Sequence, residues 1–228
     1  MERENTTHSS LFLILTALFV TCLLVSNIIA SKLIQLGGAV LPSAVILFPV
    51  TYILADVFTE VYGFKKTRLV IWLGFGANAF MSLVFMIAIA LPHPDFFQNQ
   101  AAYATVLGST PRILLASLAG YWAGEFSNSI VLSVLKKLTK GRYLWTRTIG
   151  STIVGEGLDT VLFIGIAFAG TVPAGALAGM MLAQYLFKVG YEVLLTPLTY
   201  LVVGSIKRKE ALDTFDSGVV YNPFQLGE

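Results

Sequence analysis

Glu125, Glu156, Asp159, Lys188 and Glu192 stand inside long apolar runs, and through them this chain could do chemistry. Glu156 and Asp159 are spaced i and i+3, Lys188 and Glu192 i and i+4, so each pair shares a helix face. A charge at mid-membrane depth costs at least about 2.5–3.5 kcal/mol, so these groups must face a shared cavity or one another. Four carboxylates and one ammonium give a formal charge of −3. One lysine cannot neutralise four acids. The remainder must hold protons, bind a cation, or accept hydrogen bonds from a polar solute. Asn128 and Gln184 stand beside them as neutral hydrogen-bonding partners. Asp56 lies further toward one end of its run, and with Glu192 it is the candidate for ion or proton coupling.

Enzyme chemistry fits poorly. There is no HExxH, G-x-S-x-G or P-loop pattern, and His8 and His93 lie in different flanks. Cys22 is the sole cysteine, which excludes an intrachain disulfide and a cysteine-based zinc site; no cofactor or metal is implied. Gly155-Glu156-Gly157-Leu158-Asp159 is faintly like an intramembrane aspartyl protease site, but the required second Asp would have to be Asp56, at a different depth. Solute binding fits better. A purine-like ring offers adjacent N–H donors that a carboxylate accepts in pairs, a Lys or Asn can donate to a ring carbonyl, and an aromatic side chain can cover the face. The same set would suit an amino acid, a nucleoside or another heterocycle.

The elements that must position these residues are membrane helices. Of 228 residues 56% are hydrophobic and 12% charged, with mean hydropathy +0.76. A soluble domain carries about 25% charged residues. The net charge of +2 does not suggest nucleic-acid binding. Six stretches approach the roughly 20 apolar residues of a membrane crossing: about 11–30, 40–61, 69–91, 113–135, 148–169 and 174–203. A small amphipathic turn around Phe96 to Tyr103 is expected in the longest connection. Pro42, Pro49 and Pro197 predict kinks. The leader Met1-Glu2-Arg3-Glu4 lacks the positive charge of a signal peptide, so the first span is expected to stay.

Orientation follows from Lys and Arg. Lys65, Lys66 and Arg68, then Lys136, Lys137, Lys140, Arg142 and Arg147, then Lys207, Arg208 and Lys209 fall on one side. Lys32 and Arg112 fall on the other, so both termini are expected in the cytoplasm. Glu60 reads as an interfacial residue paired with Lys65 and Lys66. Two small-residue stripes, Ala116-Gly120-Gly124 and Gly175-Gly179, read as helix-packing faces and permit a homodimer. Of the aromatics Tyr121, Trp122, Phe126, Tyr185, Phe187 and Tyr191, one or two could stack on a planar solute.

Several segments resemble one family. Ala55-Asp56-Val57-Phe58-Thr59-Glu60-Val61-Tyr62-Gly63 with the basic Phe64-Lys65-Lys66-Thr67-Arg68, Ser26-Asn27, Thr110-Pro111-Arg112-Ile113, and Gly124-Glu125-Phe126-Ser127-Asn128 are similar to motifs of the queuosine precursor transporters of the vitamin uptake transporter type. Gly155-Glu156-Gly157-Leu158-Asp159-Thr160 and Gln184-Tyr185-Leu186-Phe187-Lys188-Val189 match as well, in order, over nearly all of residues 10–206. The resemblance implies uptake of 7-cyano-7-deazaguanine, and of 7-aminomethyl-7-deazaguanine, across the bacterial inner membrane without an ATPase partner. It adds Asn27 to the candidate site.

The sequence therefore predicts one transmembrane domain over 1–228: an all-α, six-helix, multi-pass carrier with a very weak 3+3 inverted repeat. Glu125, Asn128, Glu156, Asp159, Lys188, Gln184 and Asn27 are expected to bind solute. Glu156 or Asp159 would accept from the N–H edge, and Lys188 would donate to the ring oxygen or hold Glu192. The rivals are a substrate-binding subunit of an energy-coupling-factor importer, an intramembrane protease and a scaffold.

Overall fold

The computed structural model describes residues 9–36, 39–108 and 111–225. The leader Met1 to Glu4, His8 and Thr110 lie outside the described residues. Helix α1 (Ser10–Ile29) starts at Ser9, whose Oγ accepts from Phe12 N at 3.1 Å and fills one donor that a helix start leaves open. An antiparallel hairpin follows, β1 (Leu33–Leu36) and β2 (Ala39–Pro42), with Leu33 opposite Pro42. The second span does not begin at Val40 as expected, because Val40 to Pro42 belong to β2. After a 3₁₀ turn, α2 (Phe48–Val57) carries Pro49 in its first turn, where a missing N–H costs nothing. Neither Pro42 nor Pro49 therefore interrupts a helix. The chain widens into a π-helical turn over Phe58–Tyr62 and breaks at Gly63, whose φ is +83°.

Helix α3 (Phe64–Ala90) stops ahead of Pro92, and the connection holds α4 (Gln100–Leu107), a helix rather than the expected turn. Then come α5 (Pro111–Leu138), α6 (Leu144–Phe168) and α7 (Ala174–Glu210), the last with Pro197 in its interior. Helices α1, α3, α6 and α7 are long and apolar enough to cross a membrane. The protein is a helical membrane protein with one small hairpin. Helix α5 has the length but is more polar, since it carries Glu125, Asn128 and several serines.

Glycine sets the closest helix contact. A Cβ on Gly155 of α6 would lie 2.7 Å from Asn128 Cβ, and one on Gly124 of α5 would lie 2.8 Å from Asp159 Cβ. The Ala116-Gly120-Gly124 stripe thus packs α5 on α6 and pulls Asn128, Asp159 and their neighbours together. A Cβ on Gly175 or Gly179 would meet nothing within 4 Å among the described residues. On the other side, Phe58 takes Phe12 and Phe19 edge-on, each at 5.8 Å, and locks α1 to the α2 unit.

After α7 the chain turns at Ala211, φ +48°, and runs back as a strap over α3 and α5. Thr214 N donates to Val61 O at 3.1 Å. The Asp216 carboxylate accepts from Phe64 N at 3.0 and 3.1 Å, completing the first turn of α3, and from Ser133 Oγ. Arg68 Nη1 donates to Asn222 O at 2.8 Å and Trp72 Nε1 to Pro223 O at 2.7 Å. Phe224 packs against Trp72 and Trp122.

Candidate functional site

A cavity of about 260 Å³ lies between the helices. Asn27 reaches it from α1, Asp56 from α2, Glu125 and Asn128 from α5, Glu156 and Asp159 from α6, and Gln184, Lys188 and Glu192 from α7. The fold thus brings all nine candidate residues to one space. Helical spacing explains much of this: Glu125 and Asn128, then Glu156 and Asp159, stand one turn apart on facing sides of the α5–α6 contact.

Lys188 takes a different partner from the one its own helix offers. Its Nζ meets Glu156 Oε2 at 2.6 Å and also binds Asp159 Oδ2. The expected pairing of Lys188 with Glu192 is not made. Two carboxylates from α6 converge on one ammonium, and their joint attraction outweighs a single acid one turn along the same helix. The three side chains are 12–20% exposed, open to the cavity. Among the described residues, no cation comes within ion-pairing distance of Glu125, and Asn128 Oδ1 is buried without a hydrogen bond. The cavity wall thus holds an occupied cation and unoccupied acceptors.

Sequence reasoning missed part of the opposite wall. Asn78 of α3 is 3% exposed and accepts from Asn27 Nδ2 at 2.9 Å. No local pattern links two asparagines 51 positions apart. The aromatic lining is Phe19, Phe48, Tyr52, Tyr121 and Phe163. Of the six aromatics, one or two of which were expected to reach a solute, Tyr121 lines the cavity. Trp122 and Phe126 pack with Trp72, and Phe187 stacks on Tyr191.

Beyond Asp56 lies a second buried charge cluster, and it corrects the reading of Glu60. Glu60 is fully buried rather than interfacial. Arg147 grips it with a fork, Nε to Oε2 at 2.7 Å and Nη2 to Oε1 at 2.8 Å, and Lys207 Nζ adds a contact at 2.6 Å. Lys136 Nζ lies 3.6 Å from the same carboxylate and binds Asp213, which also takes Lys207 at 2.8 Å. Three residues assigned to basic loops are therefore interior partners that tie the α2 unit, α5, α6, α7 and the strap together. Partial burial would push the Asp213 carboxyl up, but the hydrogen bonds from Lys136 and Lys207 outweigh it and hold that group below the usual carboxylate range.

Apolar helices of membrane length around a charge-lined cavity are the build of a transporter for a small polar solute. The comparisons agree. A family model described as "Putative vitamin uptake transporter" matches residues 42–202, well over half of the chain, and the chain belongs to that family. It is also similar to a protein of Bacillus subtilis (strain 168) named "Probable queuosine precursor transporter", 27% identical over 176 residues that make up 77% of each chain. No solved structure matches.

Proposed function

We propose that this protein imports a queuosine precursor, 7-cyano-7-deazaguanine and its 7-aminomethyl analogue, across the bacterial inner membrane as a secondary carrier. The observation that carries this reading is Glu125: a carboxylate on the cavity wall with no ion-pair partner among the described residues, next to Asn128 Oδ1, which has no hydrogen-bond partner among them. A guanine-type edge presents adjacent N–H donors, and a carboxylate accepts two of them at once. Glu125 takes that role in place of Glu156 or Asp159, because those two are already engaged by Lys188. Lys188 holds both acids in place and turns its remaining proton toward the ring oxygen. Gln184 and the Asn27–Asn78 pair bind the remaining polar atoms, and Tyr52 or Tyr121 covers the ring face.

The carrier crosses the membrane six times with both termini in the cytoplasm. The α2 unit and α5 supply the two crossings in addition to the four long apolar helices. Uptake of radiolabelled 7-cyano-7-deazaguanine in cells that cannot make it tests the proposal. Expression should restore accumulation, and Glu125→Gln at equal membrane abundance should lose it. Accumulation indifferent to the protein would end this reading.

A further inference from the structure

Asp56 of α2 and Glu192 of α7 have no part in the solute contacts just proposed, yet both line the same cavity. They are 1% and 2% exposed. Asp56 Oδ2 and Glu192 Oε1 are buried with no hydrogen-bond partner among the described residues. Two carboxyl groups buried in one cavity wall with no cation between them cannot both be ionised without a large electrostatic and desolvation cost, so the pair is suited to hold a proton.

The charges around the pair supply no alternative. Glu60 is one turn along from Asp56, and Glu125 of α5 and Glu156 of α6 line the same cavity as the pair. All three are acids. Tyr52 stands one turn from Asp56 on the cavity wall. Lys188, one turn from Glu192, is held by Glu156 and Asp159, and Lys136, Arg147 and Lys207 are held by Glu60 and Asp213. Every cation near the pair is committed elsewhere.

We infer that Asp56 and Glu192 bind one transported proton between them and couple solute movement to the proton gradient, an inference that rests on the carrier reading above. The step is a proton transfer alone. A proton from cavity water is bound by the pair with the solute and released to water on the far side, and no other bond is made or broken. The placement suits proton coupling. The pair sits between the solute-contacting residues and the Glu60 cluster and joins α2 to α7, two elements that must shift relative to one another for the carrier to change the side it opens to.

Purified protein in liposomes tests this with 7-cyano-7-deazaguanine as the probe. An inward proton gradient should drive wild-type accumulation, and Asp56→Asn and Glu192→Gln should each lose it while keeping exchange of labelled for unlabelled base. Wild-type accumulation that ignores the proton gradient, or variants that still respond to it, would overturn the coupling. So would variants that are folded by circular dichroism but lose exchange as well, since the pair would then serve binding. A wild type without exchange removes the carrier reading itself, and the coupling falls with it. If the variants do not insert, a pH dye outside wild-type vesicles decides: external alkalinisation on adding pH-matched 7-cyano-7-deazaguanine supports the proposal and its absence overturns it.

Discussion

Arg147 and Glu60 meet in a two-point fork in the protein interior, with both N–O distances at 2.7–2.8 Å and both side chains almost wholly sealed from solvent. Such a pair is costly to form and more costly to break, because removing one partner strands the other charge. Glu60→Ala should lower stability by about 3–5 kcal/mol, leaving Arg147, Lys136 and Lys207 with a single acid between them. Thermal unfolding in detergent measures this. Arg147→Lys should also cost stability, since an ammonium cannot make the two-point contact. An unchanged melting temperature in both variants would show that the cluster is solvated.

Glu125→Gln should weaken binding of the deazaguanine by about 10- to 100-fold, the loss of a charge-assisted contact worth about 1.5–3 kcal/mol. Equilibrium binding to purified protein gives the number. Because Glu125 has no ion-pair partner among the described residues, the same change should leave the melting temperature near wild type or raise it. Glu156→Gln differs: it removes part of the Lys188 clamp and should reduce both binding and stability.

Gly155→Leu should fail to assemble, and Gly155→Ala should cost about 1–3 kcal/mol through overpacking. The added carbon would lie 2.7 Å from Asn128 Cβ and 2.8 Å from the Gly124 carbonyl oxygen, so α5 and α6 would have to separate. Gly175→Ala meets nothing and serves as the control in the same thermal assay.

The protection factors of the strap, with the intrinsic pH dependence of amide exchange divided out, should change only in acid. The Asp213 carboxyl is held below its ordinary range, so its contribution is complete above the unfolded value of about 3.9 and disappears as pH falls through the lower folded value. Protection of Asp213 to Ser217 should be constant from pH 7 to about 5 and fall below about 4. Loss of protection on raising the pH over that interval would contradict the sign.

The membrane character and the charged part of the cavity lining were legible because intramembrane charge is costly, and Glu125, Glu156, Asp159 and Lys188 had no other reason to be there. Partners were less legible. Spacing tied Lys188 to Glu192, but a helix face holds both only as neighbours, and two acids on α6 won the lysine. Glu60 preceded a basic loop and read as its companion, whereas the π-helical turn rotates it inward to Arg147, 87 positions away. Asn78 lay in an apolar run with no charge to mark it. The strap has neither helical nor strand periodicity, so nothing in its sequence forecast a docked conformation.

The strap also fixes an order of events during synthesis. The carboxylate that binds the Phe64 amide at the start of α3 belongs to a residue 152 positions later, so α3 emerges from the ribosome before that partner exists. That amide meets Asp216 only when translation has passed α7. Completion of this end of the molecule therefore waits on a segment made after α7, and a nascent chain halted before residue 216 carries an unfinished seam exposed to quality-control proteases.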